Sequence, residues 1–186
     1  MNPDEVGKNI VRAMSVVRAA QREVDAMLRT LDEILVACGW TSVSSTKWLA
    51  LSMNGAQLGQ PQNWCAGALE RIYLRRGLPQ HSEVVAYEVL LEPAGGSIPL
   101  LAGSRLSLAA PMTDPELYAL WSRGGKRAIG APTSQPGIVE YEAKQLNSAF
   151  SLVGTATVHA VPLCEIDRTN IEAKIVRPVL DHTPSP

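Results

Sequence analysis

The chain has 186 residues, 46% hydrophobic and 19% charged, with a formal net charge of −1 at pH 7. This length suits one domain spanning 1–186 and lets a chain bury about 70% of its unfolded surface without metal or disulfide staples. Near-neutral charge argues against a chain-wide nucleic-acid footprint. Three cysteines, Cys38, Cys65 and Cys164, with no C-x-x-C, argue against a disulfide framework or a zinc site. The opening MNPDEVGKN carries acids where a signal peptide carries positive charge, and no apolar run approaches a membrane span. The expected home is the cytoplasm.

The first predicted element is a long helix over 3–38. Asn2 is placed to cap it, Pro3 follows at the first helical position, and Asp4 and Glu5 occupy the first turn, where the helix dipole favours acids. At the far end Gly39 suits the left-handed position that stops a helix, and Trp40 suits the apolar fold-back after it. Between the caps Ile10, Ala13, Val17, Ala20, Val24, Met27, Leu31, Ile34 and Cys38 recur at alternating spacings of three and four. That is a heptad seam. Met14, Leu28 and Leu35 widen it. Gly7 weakens the first turns by about 1 kcal/mol against alanine.

From Pro3 to Cys38 such a helix spans roughly 54 Å at 1.5 Å per residue. The rest of the chain forms a globule about 38 Å across. The helix therefore overhangs by on the order of 15 Å. It can be a bent core helix laid across a sheet, or a second chain can cover its stripe. The second reading makes Ile10, Val17, Val24, Met27, Leu31 and Ile34 an interface for self-association or for a protein partner.

Residues 41–68 show no sustained period and read as an irregular segment. Trp40, Trp48 and Trp64 fall close together here, either pinning a loop on the core or lining a pocket. Period two begins at residue 69, predicting strands over 69–76, 83–92 and 98–109, the last bulged at Gly103. Thr113 and Glu116 form a capping box for a short helix over 114–122. Further strands are predicted over 138–144, 150–166 and 171–180, although 142–153 also suits a helix. DRTN at 167–170 reads as a turn, and 181–186 as a disordered tail. No β-α-β alternation appears. The expected fold class is α+β: the long helix on a mainly antiparallel sheet of about five or six strands, with one short additional helix.

Candidates for chemistry are sparse. Arg123, Lys126 and Arg127 flank paired glycines, and Arg71 and Arg75 share a strand face with Tyr73 between them. Together they outline an anion or nucleic-acid site. The glycines follow a helix, however, and the P-loop spacing is absent. Cys65 beside Trp64 is a possible thiolate nucleophile, with His81 and His159 as the available bases, though no spacing pairs them. Glu140 and Glu142 share a strand face and read as solvent-facing. No catalytic residue, cofactor or metal set is assigned. The leading expectation is a non-enzymatic interaction or assembly module acting through the helix. A nucleotide or nucleic-acid binding module comes second, and a small-molecule enzyme centred on Cys65 third.

Overall fold

The structure, a computed structural model, describes residues 2–43, 49–51, 68–91, 98–117, 137–143 and 154–181. Its first element is helix α1, Pro3–Ala37. Both ends close as the sequence requires. The Asp4 N–H donates to the Asn2 side chain at 3.1 Å. Gly39 takes φ +84°, a conformation costly for any residue with a Cβ. Trp40 then turns back into the core.

Among the described residues seven strands form one sheet: β1 Trp40–Ser42, β2 Leu49–Leu51, β3 Ala68–Arg75, β4 His81–Leu90, β5 Leu100–Met112, β6 Gly137–Ala143 and β7 Gly154–Pro162. The order is β1-β3-β4-β5-β7-β6, with β2 also paired to β3, and every pairing is antiparallel. The fold class is thus α+β. The strands beyond the expected five or six are β1 and β2. Each is three residues long, too short to show a period of two. A helical turn at 114–117 carries the capping box: the Thr113 N–H and hydroxyl donate to Glu116 Oε2 at 2.7 and 2.8 Å.

Two local expectations are corrected. Gly103 is not a bulge, because β4 and β5 stay in register through Tyr87↔Gly103 and shift only between His81 and Glu83. It is a point of close approach instead. A Cβ there would lie 2.6 Å from the Tyr87 ring and 2.7 Å from Val179. The second correction is larger: 171–180 is not a strand. After a 3-10 turn at Leu163–Glu165, the chain forms helix α2 over 171–181, a π-turn at Glu172–Val176 running into α-helix at Arg177–Asp181.

The start of α2 is fixed by what looked like a simple turn. Asp167 Oδ1 accepts from the N–H groups of Thr169 and Asn170, while Asn170 Oδ1 accepts from the Asp167 N–H. This is a reciprocal capping box built from Asp and Asn. Hydrogen bonding from the Thr169 side chain and backbone holds the Asp167 carboxyl below its usual range. Ile171, Ile175 and Val179 recur every four residues and are all buried. The alternation of Ile171, Ala173 and Ile175 imitates a strand over too few residues to discriminate.

Pro178 accounts for a further contact. Lacking an N–H, it cannot donate to the Lys174 carbonyl four residues back. His159 on β7 does so instead, its Nε2 lying 2.9 Å from that oxygen. A carbonyl only accepts, so Nε2 carries the proton.

The core on the helix-bearing face joins four parts of the chain. Met27, Leu28, Leu31 and Leu35 come from α1, and Trp40 from β1. Tyr73, Val85, Tyr87, Val89 and Leu101 come from β3 to β5, and Ile171, Ile175, Val176 and Val179 from α2. Tyr73 and Tyr87 meet edge to face at 6.0 Å. The opposite face is also buried, at Leu90, Leu100, Ala102, Val158 and Ala160.

Candidate interaction surface

Helix α1 is one rod with two environments. From Asp4 to Glu23 nothing is buried, and only Val6 is half-covered. From Val24 onward the seam enters the core. Ile10 is 58% exposed and Val17 40%, whereas Met27 is 5% and Leu31 0%. Val24 and Ile34 are half-buried against the same core. Of the six seam residues expected to meet a partner, Met27 and Leu31 are therefore corrected to the chain's own core. The projecting part of 20 residues is about 30 Å long, twice the overhang expected from globule size. The reason is α2. It occupies the sheet face that α1 would otherwise cross, so α1 docks only by its last two fifths.

The projecting part is amphipathic. Ile10, Val11, Met14, Val16 and Val17 are all large apolar side chains left in solvent. Beyond it, on the outer face of the docked part, Asp25 accepts from Arg29 at 2.9 Å, and that bond raises the arginine's pKa. Such exposed pairs add little to stability.

Where α1 leaves the globule, a cleft of about 350 Å³ opens between it and the β7–α2 connection. Val24, Met27, Leu163 and Ile166 provide its apolar lining, and Glu23 and Arg168 stand among its charged residues. Leu163, Ile166 and Arg168 were missed in the sequence. Their signal was the cap at 167–170, which marks a helix start and hence a corner packed against α1.

The basic cluster loses Arg71. Arg71 is buried, 3.3 Å from Asp32 of α1 and donating to the Ser42 hydroxyl at 2.9 Å. Tyr73 donates its hydroxyl to the same carboxylate. Burial first, then that bond to an anion, pushes the Tyr73 phenol well above the ordinary tyrosine range. Arg75 lies over the Trp40 ring at 4.3 Å and donates to the Cys38 carbonyl at 3.3 Å. Arg71 is thus corrected from an anion ligand to a strut between α1 and the sheet, while the exposed Arg75 covers Trp40. Arg123, Lys126 and Arg127 lie outside the described residues, as do Trp48, Trp64 and Cys65. Trp40 itself is core.

His81 and His159 do not meet a thiol among the described residues. His81 is buried and its Nε2 faces Asp114, while His159 serves α2 as above. The register sets Glu70 beside Glu88 on the second sheet face, where Glu70 is buried. No group of three or more His, Cys, Asp or Glu suited to a metal occurs among the described residues. Nor is any described helix long and apolar enough to cross a membrane. No family model, curated protein or solved structure matches the chain.

Proposed function

We propose that this protein is a non-enzymatic assembly module that self-associates through the projecting part of α1. The observation that carries the reading is the exposure of Ile10, Met14, Val16 and Val17 on a helix whose seam continues into the core at Met27 and Leu31. Helix propensity alone does not support such a projection. Most helix stability in proteins comes from packing of an amphipathic face, which residues 4–23 lack within the single chain, and Gly7 with the β-branched Ile10, Val11, Val16 and Val17 lowers the propensity further. Burial of the stripe by another chain offsets that cost and removes an apolar patch from solvent.

Sedimentation of the full chain over a range of concentrations tests the reading, together with Ile10→Asp and Val17→Asp. Both positions are exposed, so the variants keep the fold of the isolated chain. The expected result is a concentration-dependent dimer that both substitutions dissociate. A single-chain mass throughout overturns it.

A further inference from the structure

We infer that the partner is a second copy of this chain, lying antiparallel along residues 4–23, with its N-terminal tip seated in the cleft at Val24, Met27, Leu163 and Ile166. The inference rests on the assembly reading above and adds orientation, register and the occupant of the cleft.

In the heptad, positions a are 3, 10, 17 and 24, and positions d are 6, 13, 20 and 27. Reversing one helix sets each a against a partner d. One register fits the side chains: Ile10 faces Ala20, Val17 faces Ala13 and Val6 faces Val24. Every layer of the projecting part then sets a large residue against a small or medium one, which fills the seam without voids. On the flanks, Met14 meets Met14 and Val16 meets Val16 across the two-fold axis. These exposed residues lie outside the a/d seam, and this register gives each an apolar contact. A parallel pair would set Ala13 on Ala13 and Ala20 on Ala20, leaving two thin layers.

The same register brings the partner's Pro3 level with Met27, at the mouth of the cleft. Its Val6 arrives against Val24, which lines that cleft. The charged lining of the cleft is Glu23, Asp167 and Arg168, so Arg168 is the group there that attracts the acids Asp4 and Glu5 of the arriving tip.

Oxidative cross-linking of full-length Met14→Cys and Ile10→Cys tests the geometry, with peptide mapping to separate the introduced thiols from Cys38, Cys65 and Cys164. Antiparallel pairing predicts a covalent dimer from Met14→Cys and none through position 10, whose copies stand about 15 Å apart along the axis, beyond disulfide reach. The reverse pattern overturns the antiparallel register and leaves the assembly reading standing. A single-chain mass in sedimentation overturns both. Arg168→Glu is expected to weaken the dimer about fivefold, with Glu5→Lys in the same chain restoring it. An unchanged dissociation constant for Arg168→Glu removes the cleft as the seat of the tip.

Discussion

The two ends of α1 carry one heptad pattern and meet opposite surroundings. Residues 24–37 pack on the sheet and on α2, closing over Met27, Leu28, Leu31 and Leu35. Residues 4–23 touch little of the fold, and their apolar stripe stays wet. A regular seam therefore records that a helix buries one face without saying against what. The neighbour is decided by which other element reaches that face. Here α2 takes the room beyond Val24.

The sharpest way to break the contrast is a matched truncation. Leu31→Ala, at a fully buried site, should cost about 3 kcal/mol in urea unfolding at low protein concentration. Ile10→Ala should change stability there by less than about 0.5 kcal/mol. Equal costs at the two sites would mean that both ends share a core. Asp32→Ala comes next. It removes the helix-side partner of Arg71 and the acceptor of the Tyr73 hydroxyl, and should cost about 2–3 kcal/mol. Gly103→Ala forces a methyl toward Tyr87 and Val179. It should destabilise by about 2 kcal/mol and speed hydrogen exchange across α2.

Smaller effects sharpen the role of α2. His159→Phe leaves the Lys174 carbonyl without its donor and should cost about 1 kcal/mol. Pro178→Ala in the same background supplies an N–H at the right spacing, so the double variant should lose less than His159→Phe alone. Acid provides the mildest perturbation. The folded-state pKa of Asp167 is lowered, chiefly by the Thr169 hydroxyl and then by its N–H. Its cap contribution is complete above the ordinary aspartate value of about 3.9 and disappears as pH falls through the lowered folded value. Exchange at 171–181 should accelerate in that window, and Asp167→Asn, which keeps an acceptor, should remove the dependence.

Much of the fold was legible. The helix caps at Asn2 and Gly39, the strands at β3, β4 and β5, and the box at Thr113 and Glu116 all follow from local rules. They do so because each is satisfied within a few residues of chain. The failures share one cause. Arg71 and Tyr73 alternate with apolar residues as a solvent-facing edge would, yet they face α1, because Asp32 is there to pair with them. The misread segment 171–180 looked like a strand by alternation. Its helix is set by a cap whose Asn stands where glutamate is the familiar signal, and by a histidine from another strand. The cleft residues Leu163, Ile166 and Arg168 were invisible for the same reason, since their meaning depends on α1 passing beside them.

The sequence by itself determined the long amphipathic rod, its two ends and an antiparallel sheet, because backbone hydrogen bonding and side-chain periodicity are local properties. Only the tertiary structure decided where the rod stops being core and becomes surface. That boundary, near Val24, is set by two helices competing for one sheet face, and the room they divide is a property of the packed whole.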